Sequence, residues 1–266
     1  MSPSTLTDRE LREQLCASGI AGAVATPREI NLRSYRRFCE GGAYHSFGLT
    51  TSRRWTPDEV LEVMARRCGV DPDPNRISGP DTIDADRTLA ELAAAAGLLR
   101  SAAAAGHRVL VATGHPSGLL AVHLPIALAL RRAGCEVLLP AAGWRYEERL
   151  HAELVSREIR YLCDVAMVAS RGELNHTHSA RPMQAMLAEL EAFGQPPPDL
   201  VVGDHGWAGA AAEAGARVVG FADSNDPALF IGQEDGKVEV VVPLDDNVAP
   251  HLYVPLAKHL LAAAGL

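Results

Sequence analysis

The hydrophobic pattern of the chain changes character at Gly106. Before it, helical stretches are separated by irregular, turn-rich segments. "LTDRELREQLCASG" opens on a capping-box pair, Thr7 and Glu10, and closes on glycine. "TPDEVLEVMARRCG" repeats the device, with Thr56 as N-cap, Pro57 at the first helical position, Glu59 completing the box and Gly69 as terminator. "DPDPNRISGPD" is a break. "DADRTLAELAAAAGLLRSAAAAG" predicts a long helix ending at Gly106.

After Gly106, short continuous apolar runs alternate with helical segments. The runs "HRVLVAT", "CEVLLPA", "CDVAMVAS", "PDLVVGD", "RVVGFAD" and "KVEVVVPL" predict strands. Between and after them, "LLAVHLPIALALRRAG", "ARPMQAMLAELEAFG", "WAGAAAEAGA", "PALFIGQEDG" and "PHLYVPLAKHLLAAAG" predict helices or helical turns. Unbroken apolar runs, in place of a polar–apolar alternation, mark strands buried on both faces. The pattern therefore predicts an α/β protein with a doubly wound, mostly parallel sheet and a helical N-terminal segment. Its division is a helical segment over 1–100 and a Rossmann-like α/β region over 101–266, the two being compatible with one continuous domain.

In such a sheet, ligands bind beyond the carboxyl ends of the strands, and here those ends are polar. Thr113-Gly114-His115-Pro116-Ser117-Gly118 follows the first run. The next polar loop carries His176, Thr177 and His178. Asp204-His205-Gly206, Asp223-Ser224-Asn225-Asp226 and Asp245-Asp246-Asn247 follow later runs. If the strands are parallel, these groups share one rim. Each has a plainer reading. Asp204 and Asp226 stand where N-caps stand, Asp245 and Asp246 suit a turn, and Trp207 fills either a core or a substrate wall. His107, His123, His151 and His259 fall within elements and read as structural.

Carboxylates and neutral imidazoles are ligands for divalent metals. The expected metal ligands are Asp204, Asp223 and Asp226, around Mg or Mn. His115, Asp204 and His205 are the expected catalytic groups. The loop with Thr113, Gly114, Ser117 and Gly118 is the expected phosphate cradle, joined by His176, His178 and, as a clamp, Arg181. The loop lacks the "GK[ST]" of a P-loop and the spacing of the dinucleotide fingerprint. No G-x-S-x-G elbow is present. Metal-assisted hydrolysis of a small phosphate monoester fits this inventory best. The alternative is a non-catalytic binder of a phosphorylated or anionic metabolite.

Composition narrows the partners. The 266 residues are 47% apolar and 22% charged, with a net charge of −8 and 5% aromatics. That balance disfavours nucleic acid. Arg33, Arg36, Arg37, Arg53 and Arg54 read as a solvated face or an anion-binding flap. The sequence shows no apolar run of membrane-spanning length and no secretory signal, and its five cysteines form no CxxC pair. A cytoplasmic protein with a small phosphorylated metabolite as partner, no membrane and no nucleic acid is expected. A homo-oligomer is compatible with all of this.

The motifs "ATGHPSGLL", "NHTHSARPM", "VVGDHGWAG", "GFADSNDPALF" and "VPLDDNV" resemble an actinobacterial family of about this length, described as a phosphatase family. The resemblance implies a phosphatase over most of the chain. "VVGDHGWAGAAAEAGARVVGFAD" is also similar to the last motif of haloacid dehalogenase phosphatases, in which an acid after a strand holds Mg. "TGHPS" stands where that superfamily carries its aspartate nucleophile. The metal-dependent damage-control phosphatases are distantly similar in their polar first loop and helical N-terminal part, but their Asp-Asn pair is absent from that loop.

Overall fold

The computed structural model describes residues 6–150 and 153–266. His151 lies outside them. The first helix, α1 (Asp8–Ser18), starts at the predicted Thr7–Glu10 capping box and stops at Gly19, whose φ is 74°. Strand β1 (Gly22–Pro27) leads into α2 (Arg28–Cys39) and the single turn α3 (Ala43–Ser46). Helix α4 (Pro57–Arg67) keeps the Thr56–Glu59 box. Strand β2 (Pro80–Ile83) pairs antiparallel with β1, and α5 (Ala85–Ala105) follows. This part of the chain is thus not purely helical. The β1–β2 ribbon is short and only partly buried, so it leaves little hydrophobic signature.

Next come β3 (Arg108–Ala112), α6 (Leu120–Arg132) and the two-residue β4 (Glu136–Val137). Residues 145–150 and 153–162, to which the apolar pattern assigns no element, form the antiparallel pair β5 (Arg145–Leu150) and β6 (Glu153–Leu162), a hairpin in outline. Most of β6 is exposed or half-buried, so its charges mask the strand. Then follow β7 (Val165–Ser170), β8 (Glu173–Asn175) and α7 (Arg181–Ala192). The chain ends with β9 (Leu200–Asp204), α8 (His205–Glu213), β10 (Val218–Ala222), α9 (Pro227–Glu234), β11 (Val240–Pro243), a 3-10 turn and α10 (Val254–Ala264).

The main sheet has nine strands in the order β11-β10-β9-β3-β7-β6-β5, with β4 alongside β3 and β8 alongside β7. β3, β4, β7, β9, β10 and β11 are linked by parallel pairings, and the hairpin and β8 extend the sheet antiparallel. The residues of β9, β10 and β11 are all buried, as unbroken apolar runs require. From β3 the chain first builds outward through β4 and β7. It then returns across β3 to lay down β9, β10 and β11 in the other direction. Reversing the direction of winding places successive crossover helices on opposite faces. One layer joins α6, α10, α5 and α1, and the other joins α7, α8, α9, α4 and α2. The N-terminal elements contribute to both layers. No helix among the described residues is long and apolar enough to cross a membrane.

The winding reverses between β3 and β9, and a crevice opens outside the carboxyl ends of strands at such a point. Thr113-Gly114 follows the first of these strands, and Asp204 ends the second, with His205 next.

Candidate active site

Asp204 ends β9 fully buried. It occupies the N-cap position of α8 but makes no capping hydrogen bond. Its carboxylate instead accepts from the Thr113 hydroxyl (2.6 Å), the Gly114 N–H (2.6 Å) and His205 Nδ1 (2.7 Å). The β3 loop and the β9 loop are therefore locked together through one acid. His205 follows with a φ of 45°, a left-handed conformation that costs a non-glycine residue energy and is concentrated at functional positions. From there its Nε2 lies 3.3 Å from Asp226 Oδ2 and 3.4 Å from Asp246 Oδ2. Asp226 also stands at an N-cap, that of α9, without capping it.

Three more imidazoles complete the basin. His115 Nδ1 lies 3.3 Å from Asp246 Oδ1. The centroid of the His176 ring is 4.6 Å from that of His115, 4.7 Å from His178 and 5.0 Å from His205, and the His178 and His205 centroids are 4.5 Å apart. The backbone brings His176 and His178 here because the chain leaving β8, which pairs with β7, passes the end of β3, where the Thr177 N–H donates to the Gly114 carbonyl. Gly114 is needed for that approach, since a Cβ on it would lie 2.4 Å from the Thr177 carbonyl oxygen. Gly118 is pressed just as closely against the Asp246 carbonyl, at 2.3 Å. These glycines let loop backbones meet. Their N–H groups, expected to cradle a phosphate, are engaged within the chain, Gly114 with Asp204 and Gly118 with the His115 carbonyl. Ser117 is exposed. Arg181 donates to the Glu147 carbonyl and lies over the Tyr146 ring, so it braces the β5 strand.

The N-terminal part closes the basin with groups that sequence reasoning missed. Tyr44 stacks on His178 at 4.0 Å, and Phe47 meets His178 and His205 edge-on. The Thr26 hydroxyl donates to Asp223 Oδ2 (2.7 Å), and the Ala25 N–H to Asp245 Oδ2. Residues so distant in sequence carry no mutual signal. Asp245 and Asp246 do carry one, as a polar pair ending the last strand run. His123, expected to be structural, lies fully buried behind Asp204. Its Nδ1 donates to the Leu119 carbonyl, and its Nε2 sits 3.6 Å from Asp204 Oδ2. Of the arginine group, Arg33, Arg36 and Arg37 lie on the exposed side of α2, while Arg53 pairs with Glu59 and covers Trp55.

The electrostatics follow from burial and proximity. Burial opposes charge on His205, but Asp226 and Asp204 overcome it and raise the imidazole well above its ordinary pKa. Burial also opposes charge on Asp204, yet the bond from His205, with His123 and Thr113 behind it, brings that carboxyl down to about 2. His176 has an exposed outer edge, but desolvation of its ring and the charge of His205 lower it to about 4. Burial and the same charge push His178 lower still. Asp223 is raised well above the carboxylate range by burial and by its neighbours Asp246 and Asp245.

This donor set fits a divalent cation. His115, His176 and His205 present ligand atoms within 4.8 Å of one another, as do His178, His205 and Asp226, and Asp223, Asp245 and Asp246. Neutral imidazoles such as His176 and His178 have a lone pair to give. His115 Nδ1 and His123 Nε2 are buried with no hydrogen-bond partner.

A doubly wound sheet with an Asp- and His-lined basin at its switch point is a common enzyme architecture, and sequence comparison identifies the class. The phosphatase family model matches residues 6–266, so the chain belongs to that family. It is 48% identical over 266 residues to Phosphatase SCO2771 of Streptomyces coelicolor, a match covering 99% of this chain and 98% of that protein.

Proposed function

We propose that the protein hydrolyses a small phosphate monoester and that a divalent cation in the imidazole-lined basin supports the reaction. The observation that carries this reading is the meeting of His115, His176, His178 and His205 with Asp226 at the switch point, in a member of the phosphatase family. His178, Asp226 and His205 would hold the cation, His205 giving up its Nε2 proton to the solvent when the ion takes that position, with His115 and His176 offering a second set of donors around the shared His205. Bound there, the cation would supply Lewis-acid polarisation and offset charge on the phosphoryl oxygens.

The chain's own groups have distinct tasks in this reading. Asp204 is a positioning residue, because its oxygens are taken up by Thr113, Gly114 and His205 and hold that imidazole in its strained conformation. Tyr44 and Phe47 shield one flank of the basin from water. Ser117 and the outer edge of His176 are exposed at the mouth and face the incoming phosphate. Nitrogen donors favour Mn over Mg as the activating ion.

The test is turnover of p-nitrophenyl phosphate by protein stripped with a chelator and then supplied with Mn or Mg. Loss on stripping and recovery with metal, Mn ahead of Mg, is the expected result. Turnover indifferent to stripping would remove the cation from the mechanism. Anion binding with no phosphate release under any metal would instead favour a binding protein for a phosphorylated metabolite.

A further inference from the structure

The acidic side of the basin is not used by this single-cation reading. Asp223, Asp245 and Asp246 are 3%, 1% and 5% exposed and bring ligand oxygens within 4.8 Å of one another. Buried carboxylates are normally paired with a cation. Asp223 and Asp245 form no ion pair with any described residue. Their oxygens accept only from neutral donors: the Thr26 hydroxyl and Ser224 for Asp223, and the Ala25 and Asn247 N–H groups for Asp245. Asp223 Oδ2 and both oxygens of Asp245 accept a single donor each, which orients the acids and leaves them capacity for a ligand bond.

Asp246 joins this group to the imidazoles. Its Oδ1 lies 3.3 Å from His115 Nδ1, and its Oδ2 lies 3.4 Å from His205 Nε2. His115 Nδ1 is a second indication of a ligand, because the residue is only 7% exposed and this nitrogen faces Asp246 Oδ1 at 3.3 Å without hydrogen-bond geometry. Two-metal centres of this kind, with the ions joined by a shared carboxylate, recur in enzymes of phosphate chemistry.

We infer that the basin binds two divalent cations, one on the imidazole side and one among Asp223, Asp245 and Asp246, with Asp246 bridging them. The inference rests on the cation reading above but goes beyond it, since one ion suffices for that reading. A second ion adjacent to the first would clamp the phosphate from two sides, which matches the preference of such centres for phosphate esters.

The experiment is a calorimetric titration of chelator-stripped full-length protein with Mn(II), followed by electron paramagnetic resonance of the loaded sample. Two equivalents are expected, with exchange coupling that suppresses the hyperfine signal of an isolated Mn(II). Asp245→Asn should fall to one equivalent and regain the isolated-ion signal, with its circular dichroism unchanged. One uncoupled equivalent in the wild-type protein would overturn the second site and leave the single-cation reading standing. No binding would overturn both. If Asp245→Asn does not fold, the spectrum of the wild-type protein decides alone: a coupled signal supports the inference, and an uncoupled one rejects it.

Discussion

Asp204 sits where a capping residue sits and does something else. A cap would accept from the N–H groups of the following helix, and its loss would cost about 1 kcal/mol of stability with no specific effect on chemistry. Asp204 instead gathers Thr113, Gly114 and His205. An asparagine there would turn an amide donor towards groups that are themselves donors, and His205 would lose the partner that orients it. Asp204→Asn should therefore lower metal affinity or turnover by about 10- to 100-fold, the usual effect of losing a support to a ligand, with little change in circular dichroism. Measuring kcat and Mn(II) affinity together checks this, and a variant with wild-type values would return Asp204 to a structural role. The same acid shows what residue-level reading reaches. A carboxylate at a strand end was visible in "VVGDHGWAG", but not which of its two plausible jobs it performs, because that depends on Thr113, ninety-one residues away.

At the scale of elements, the basin depends on how loops are tied to helices. The segment after Phe47 is anchored to α8 by Glu213, which accepts from the Thr50 N–H and hydroxyl and from Lys237 Nζ. Partial burial works against the charged form, but Lys237 and Thr50 prevail and hold the carboxyl at about 2. The unfolded chain titrates at an ordinary carboxylate value, so the folded state prefers the ionised form. This contribution to stability is present above roughly pH 4.5 and disappears as pH falls towards 2. Glu213→Gln should lower stability at pH 7 by on the order of 1 kcal/mol after solvent screening. The gap from the wild-type protein should close between about pH 4.5 and pH 2 in thermal melts. A gap that persists at the acid end would mean the anchor is steric. Elements also mark where the pattern runs out. Helices with capping boxes at Thr7 and Thr56 announce themselves locally, whereas the β5–β6 hairpin buries one face that mixes Arg157 with Tyr146 and Ile159 and so lacks a clean apolar rhythm.

At the scale of the whole molecule, the site is built by chain reversal. β3 and β9 are neighbours although α6, the hairpin and α7 lie between them in sequence, and the N-terminal elements bring Thr26, Tyr44 and Phe47 to the same rim. A cation bound only by the folded basin stabilises the whole fold by mass action, about 2.7 kcal/mol at a hundredfold excess over Kd. For a chain of this size that corresponds to a rise in Tm of roughly 5–10 °C. Differential scanning calorimetry with Mn(II) and with chelator measures it. Equal melting temperatures would show that the basin does not hold the ion.

The sequence alone determined the α/β class, the parallel core and the polar strand ends, because unbroken apolar runs and capping residues act through neighbours in the chain. It also held His115, His176, His178, Asp204, His205, Asp223 and Asp226 as candidates, since each stands at a strand end or in the loop that follows one. Only the tertiary structure decided which of them meet, that Gly114 and Gly118 serve loop contact, and that Asp246, Tyr44 and Phe47 belong to the basin. Those outcomes depend on distances across the sheet, and distances between residues far apart in sequence are set by packing, not by the residues themselves.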